Sequence, residues 1–210
     1  MTPGFISTLA NKLRGIFGKI PSGMEPFELD TGTEVVGGLT LPVTRVYPLR
    51  ALPDGRQPII TSRHFLNNKE RKNHNGVDFF YRWQAGDAAM KIGDGGRTKN
   101  WVNPIGTMAV AAADGIVTLA GPSATGHRVW IQHAGGLYTG YFHLTRLIRW
   151  VEAGTVIRAG EPIGYVGDNP KDNDARHLHF EVYQGELGKY PRGTVDPELF
   201  LRGATVLKSV

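Results

Sequence analysis

Two clusters of histidine and aspartate have the spacing of a metal site. His177 and His179 alternate in an apolar, β-prone run, so both imidazoles should lie on one face of a strand. His74 and Asp78, in the segment H-N-G-V-D, supply a further imidazole and a carboxylate. Two imidazoles and one carboxylate with an open fourth position are typical of catalytic zinc. The sequence therefore predicts a metal centre built from two distant segments.

The amino-acid composition limits the chemistry that such a centre can use. The 210-residue chain contains no cysteine, which excludes thiolate zinc sites and disulfide frameworks. Any metal must therefore bind histidine and carboxylate. The net charge of +5 favours anionic partners, such as nucleic acid, anionic lipid or a bacterial cell wall. Because no long run of like charges occurs, nucleic acid is not an expected partner.

The elements that must position these residues are mostly short strands. Successive β-prone runs are separated by glycine-containing turns, which favours an antiparallel β architecture. The runs are residues 107–112, 115–120, 127–133, 137–142, 163–166 and 177–183. Residues 134–136, Ala-Gly-Gly, are predicted as a hairpin turn between two of them.

The N-terminal part of the chain has a different pattern. Residues 4–20 place apolar side chains at three- and four-residue spacing, which predicts an amphipathic helix within residues 1–22. The charged residues of this segment are all basic. Two interpretations stay open: a helix docked on the main domain, or a basic helix whose residues 5–20 contact a membrane surface. Residues 23–56 hold scattered proline and glycine and are predicted as linker and lead-in.

Three separated motifs give the chain a resemblance to a known family. H-x-x-x-D at 74–78, Y-x-H-L at 141–144 and H-L-H-F-E at 177–181, in this order, resemble the lysostaphin/LytM-type zinc metalloendopeptidases of bacterial cell walls. The connecting segments that also match are 60–63, 111–117, 129–133 and 196–200. The resemblance covers residues 57–202 and implies a mostly β, antiparallel catalytic domain of the duplicated-hybrid-motif type.

The resemblance also implies roles for individual residues. His74, Asp78 and His179 would bind one zinc ion per chain, and His143 and His177 would be catalytic histidines. A zinc ion held in this way polarises a scissile carbonyl and lowers the pKa of a bound water toward 7. One histidine would accept a proton and the other would stabilise the oxyanion. Which of the two is the general base stays open.

Aromatic residues are candidates for substrate contact. Tyr141 and His143 alternate at the end of a strand, so their side chains are expected to point the same way. Residues 79–106 form a longer connector than the family has and are interpreted as an insertion. Its residues Trp83 and Trp101 either pack the loop on itself or form a wall of the substrate groove.

The remaining polar residues receive structural interpretations. His64 and His127 are expected at the surface or the groove edge, and His133 is expected to form structural hydrogen bonds. Glu181 alternates with His179 along the strand, so it could approach the metal ligands, but a structural role is favoured.

The implied function is zinc-dependent hydrolysis of peptide cross-links or stem peptides of peptidoglycan. The D-alanine–diaminopimelate bond is preferred, because no cell-wall-targeting repeat typical of glycine-bridge enzymes is visible. The alternatives are a non-catalytic LytM-like regulator, and a structural virion or secretion component that binds the wall. The complete set of histidine and aspartate motifs argues against a loss of catalysis.

The expected site of action is the cell wall, in the periplasm or outside the cell. No apolar run has the length of a membrane span, and no secretory signal peptide is recognisable. A phage endolysin released through a pore, or a virion-borne enzyme, would fit this combination. Residues 203–210 are predicted as a C-terminal tail.

Overall fold

The computed structural model describes residues 32–67, 73–87, 100–167, 176–185 and 193–209. In chain order the strands are β1 (Thr33–Val36), β2 (Leu39–Pro42), β3 (Ile59–Ser62), β4 (Gly76–Arg82), β5 (Trp101–Val102), β6 (Met108–Val110), β7 (Gly115–Ser123), β8 (Gly126–His133), β9 (Leu137–Leu147), β10 (Val156–Ile157), β11 (Pro162–Val166), β12 (Leu178–Gln184) and β13 (Thr194–Val195). A short helix, α1 (Pro197–Phe200), follows the last strand. Each β-prone run predicted from the sequence overlaps one of these strands.

Most strands belong to a single sheet with antiparallel pairing. Its continuous path runs β10-β7-β8-β9-β12-β4-β3, and β11, β13 and β5 pair with β9, β12 and β4. β1 and β2 form a separate two-stranded hairpin. The predicted turn between β8 and β9 is a 3-10 helix, Ala134–Gly136, in which Gly135 takes a positive φ of 76°. The predicted antiparallel β architecture is confirmed.

The sheet buries alternate residues of its central strands. Leu178 and Phe180 of β12 and Val77 and Phe79 of β4 are fully buried on one face, where the rings of Phe79 and Phe180 meet edge-on. Burying side chains of this size stabilises the fold by about 1.5–3 kcal/mol each. Because side chains alternate along a strand, the residues between them must point to the opposite face.

The segments at both ends of the described chain pack onto the domain. Leu41 and Leu49, within the predicted linker, are fully buried in the core. The backbone N–H of Ala51 donates to the carbonyl of Leu207. The described parts of residues 23–56 and 203–210 therefore belong to the folded unit.

The amphipathic helix predicted for residues 4–20 lies outside the described residues. Among the helices of the described ranges, none is long and apolar enough to cross a membrane.

A buried network of hydrogen bonds links three segments of the domain. Nδ1 of His133 lies 2.8 Å from the carbonyl of Asp114, and Nε2 lies 2.7 Å from Thr139 Oγ1. Thr139 Oγ1 is 2.9 Å from the hydroxyl of Tyr141, which accepts the Ala112 N–H. A carbonyl only accepts, so Nδ1 of His133 carries the proton and Nε2 accepts from Thr139. The expected structural role of His133 agrees with this network.

Acidification is expected to destabilise the fold through His133. Burial lowers the pKa of His133 from 6.5 to about 4, because the charged ring would lose its hydration. The folded state favours neutral His133, whereas the unfolded state binds the proton more readily. The free energy of unfolding is therefore unaffected by this group above about pH 6.5 and decreases as the pH falls toward 4. The loss in free energy of unfolding should reach about 3 kcal/mol.

Urea unfolding of the chelator-treated protein at about pH 7 and about pH 4.5 would measure this dependence. A His133→Gln variant serves as the comparison, since it lacks the titrating ring. The free energy of unfolding of wild type should fall more between the two pH values than that of the variant. Equal decreases in both proteins would contradict the prediction.

Candidate metal centre and active site

Strand register brings the two sequence motifs together. β4 and β12 pair antiparallel with Asp78 directly opposite His179. Residues that are directly opposite share a face, and here it is the face away from the core. His74 precedes β4, and its ring lies over the same face, 4.9 Å from the ring of His179.

The three predicted donor atoms lie close enough to share one ion. Nε2 of His74 is 3.0 Å from Oδ1 of Asp78 and 3.2 Å from Nδ1 of His179. Nδ1 of His179 is 2.8 Å from the same Asp78 oxygen. Donors bound at about 2.0–2.1 Å around a tetrahedral ion are separated by about 3.3 Å. This donor triangle therefore fits a zinc ion in size and in ligand type, and the group could bind a metal.

A second contact on each ring determines which nitrogen faces the donor triangle. Nδ1 of His74 lies 2.7 Å from the carbonyl oxygen of Arg63. Nε2 of His179 lies 3.0 Å from Oε1 of Glu181. Both oxygens are acceptors, so these ring nitrogens carry the protons and the opposite nitrogens can present lone pairs. Outer contacts of this kind orient the histidine ligands of metal sites.

The electrostatics of the donor triangle favour a bound cation. Burial alone would raise the pKa of Asp78, but hydrogen bonds from His179 and His74 hold it well below its usual range. Burial opposes a charged His179, but hydrogen bonds to Asp78 and Glu181 outweigh it and raise its pKa to about 9. A proton thus occupies the place where a cation would bind, and metal binding must release it.

An unusual backbone conformation directs His143 into the site. Its φ of 59° lies in the left-handed region, which non-glycine residues seldom adopt. The alternation of β9 is interrupted there, so Phe142 and His143 both reach the face of the donor triangle. The ring of Phe142 is 5.6 Å from that of His179, and the ring of His143 is 4.6 Å from that of His177.

The surroundings of His143 keep its ring neutral. Burial and the neighbouring His177 and His179 lower the pKa of His143 to about 4, so the ring is neutral at pH 7. Its Nδ1 lies 3.1 Å from the carbonyl of Thr125. Nδ1 therefore carries the proton, and Nε2 has a lone pair that can accept one.

His177 is also close to the donor triangle. Its Nε2 is 3.7 Å from Oδ1 of Asp78, and its ring stacks on Phe80 with an interplanar angle of 16°. The side-chain amide of Asn103 donates to the carbonyls of Phe79 and Arg176, which ties β4 to the residue before His177. Sequence reasoning missed Asn103, because it lies in the insertion and belongs to no motif.

The substrate-contact prediction for Tyr141 is wrong. Its ring is fully buried and packs against Phe180, with ring centroids 5.3 Å apart. Its hydroxyl belongs to the buried network that includes Thr139. The expected common face with His143 fails because the positive φ of His143 breaks the alternation.

The two tryptophans lie toward the far end of β4. β5 pairs with β4 and places Trp101 opposite Arg82, whose guanidinium lies 4.8 Å over the indole. Trp83 follows directly and is 41% exposed. An extended chain separates it from Asp78 by roughly 17 Å. Substrate contact by these tryptophans stays a prediction, and it would lie well away from the donor triangle.

Two structural expectations change. His64, expected at the surface, is fully buried beside Phe65, and burial lowers its pKa. Glu181, for which a structural role was favoured, contacts the ring of His179 directly. Alternation along β12 was the sequence signal for this contact.

Solved structures show the same fold. A LytM structure from Ruminococcus gnavus ATCC 29149 has a TM-score of 0.56 and 23% identity, with coverage of 80% of this chain and 63% of that chain. Lysostaphin from Staphylococcus simulans has a TM-score of 0.51 and 23% identity, with coverage of 80% and 58%. The predicted LytM/lysostaphin-type fold is thereby confirmed.

A family model matches part of the sequence. The model of Peptidase family M23 matches residues 97–191, which include three of the four site histidines. The match covers 95 of the 210 residues and confirms the resemblance to this family seen in the sequence.

Curated relatives share part of their length with this chain. The peptidoglycan DD-endopeptidase ShyC of Vibrio cholerae is 33% identical over 103 residues, covering 49% of this chain and 23% of that protein. The DD-carboxypeptidase/endopeptidase Mpg of Neisseria meningitidis is 37% identical over 84 residues, covering 40% and 19%. The cell division protein DipM of Caulobacter vibrioides is 34% identical over 100 residues, covering 47% and 16%. The match thus spans less than a quarter of each relative.

Proposed function

We propose that this chain is a zinc-dependent endopeptidase that hydrolyses peptide cross-links or stem peptides of bacterial peptidoglycan. The observation that carries the proposal is the donor triangle of His74, Asp78 and His179, with the neutral His143 beside it. The relatives named as DD-endopeptidases support peptidoglycan as the substrate and favour the D-alanine–diaminopimelate cross-link. The net charge of +5 suits an anionic wall polymer.

Each residue of the site would have a different role in peptide hydrolysis. Zinc, held by the donor triangle, would supply a Lewis acid for the scissile carbonyl and would acidify water. Nε2 of His143 accepts the proton of the attacking water and returns it to the leaving amine. His177, whose ring is 4.6 Å from that of His143, donates to the developing oxyanion. The rings of Phe80 and Phe142 pack against His177 and His179.

The proposal includes a place of action. Hydrolysis of peptidoglycan requires the working protein to reach the cell wall, as a host wall enzyme or as a phage endolysin. Membrane contact through residues 5–20 is a separate proposal. Binding of the full chain to anionic vesicles, compared with neutral vesicles, would test it.

Digestion of purified peptidoglycan tests the proposed activity. The zinc-loaded protein should contain about one ion per chain and release new amino groups, and mass analysis should show diaminopimelate freed from D-alanine. Chelated protein and a His179→Ala variant should release none, while a Glu152→Gln variant, changed at an exposed site, should match wild type.

The outcomes separate the candidate functions. Wall binding by wild type without amine release would favour the non-catalytic regulator over the enzyme. Cleavage by His179→Ala at the wild-type rate would rule out the proposed site. A product with cut glycine bridges would retain the enzyme and overturn the preferred bond.

A further inference from the structure

The two histidines of the donor triangle differ in their hydrogen-bond acceptors. The acceptor for His179 is a buried carboxylate. Oε1 of Glu181 lies 3.0 Å from Nε2 of His179, and the two side chains are 11% and 13% exposed. For His74 the corresponding acceptor is a neutral carbonyl, that of Arg63. A charged acceptor makes the stronger hydrogen bond and strengthens the opposite nitrogen as a ligand.

A glycine in the neighbouring strand β4 leaves room for Glu181. Gly76 of β4 and Gly140 of β9 are the residues directly opposite it on either side. A Cβ on Gly76 would overlap the carbonyl oxygen of Phe180 and come within 3.0 Å of Cγ of Glu181. A Cβ on Gly140 would come within 2.6 Å of the Trp130 ring, which fills the space above it. The glycine at position 76 therefore leaves space beside Glu181 on the β4 side, whereas the glycine at position 140 accommodates the Trp130 ring.

The negative charge of Glu181 also affects the charge balance of the metal site. A divalent ion with Asp78 as the one anionic ligand leaves a net positive charge in a buried site, which is costly to remove from water. The carboxylate of Glu181 brings the ion and its surroundings to neutrality.

We propose that Glu181 is a positioning residue, which fixes the ring of His179 with Nδ1 toward the donor triangle and thereby strengthens metal binding. This inference rests on the proposed zinc site, because it concerns one ligand of that site. It requires no contact between Glu181 and the substrate.

Zinc titration of the full chain against a chromophoric chelator tests the inference. Glu181→Leu should weaken zinc binding about 10–100-fold, the range found when an outer contact of a metal ligand is removed. Glu181→Gln keeps an acceptor oxygen and should lose less than about tenfold. Glu152→Gln is the matched control at an exposed glutamate and should bind as wild type does.

A second measurement separates positioning from a general effect on the fold. Long-range ¹H–¹⁵N spectra of the zinc-loaded protein should show the proton of His179 on Nε2 in wild type and in Glu181→Gln. Thermal unfolding in chelator shows whether each variant folds. If Glu181→Leu is folded and binds zinc as tightly as wild type, or if the His179 proton lies on Nδ1, the inference is overturned.

The inference and the proposed function fail in different ways. Wild type that binds no zinc would overturn both, because no ligand would need positioning. Zinc binding that depends on Glu181 in a protein that cuts no peptidoglycan would overturn the proposed function alone. Zinc binding and cleavage that are both indifferent to Glu181 would overturn the inference alone.

Discussion

Asp78→Asn is expected to abolish peptidoglycan cleavage and to lower zinc affinity by more than about 100-fold, since it removes a ligand rather than an outer contact. Oδ1 of Asp78 is the common point of the site, within 3.0 Å of donor atoms of both His74 and His179. Asparagine has nearly the same shape but no charge. Two imidazoles alone would then have to hold a divalent ion in a buried place, without the anion that offsets its charge.

A matched substitution controls for the loss of a carboxylate elsewhere. Asp54 is exposed and pairs with Arg56, so solvent screens the charge of its carboxylate, which lies outside the donor triangle. Asp54→Asn should keep wild-type zinc affinity and turnover. Zinc content by mass spectrometry under native conditions and amine release would be measured for both variants. One tightly bound zinc in Asp78→Asn would mean that the donor triangle does not hold the ion.

Period-two alternation is the physical reason that much of this site can be predicted from the sequence. It places His179 on the face opposite Leu178 and Phe180. In the same way, it places Asp78 of β4 on the face away from the core. Once β4 and β12 pair, the two ligands lie directly opposite each other. Residue types then suffice to propose a zinc site.

The parts that escaped prediction depend on backbone geometry rather than on side-chain type. The carbonyls of Arg63 and Thr125 determine which nitrogens of His74 and His143 carry protons, but every residue has a carbonyl. The packing of residues 32–56 depends on a few isolated apolar residues, such as Leu49, which produce no periodic signal. These features become visible only when the register of distant strands is known.

The conformation of His143 is the least predictable feature of the site and has a testable consequence. A positive φ is usually encoded by glycine, yet here a histidine adopts it, at a cost of about 1–3 kcal/mol that the surrounding strands must offset. Alternation alone would have directed this ring into the core. The strain therefore places a neutral imidazole beside the donor triangle.

His143→Asn is expected to lower kcat by about 10²–10⁴-fold, the usual contribution of a general base, while zinc content stays at wild type. Asparagine tolerates the left-handed backbone, so thermal stability should change little. His143→Val should lose both activity and stability, because a β-branched residue is strained at a positive φ. Comparing the two variants separates the chemical role of the ring from the conformational role of the backbone. Wild-type kcat in a folded, zinc-loaded His143→Asn would assign the proton acceptor to His177 instead.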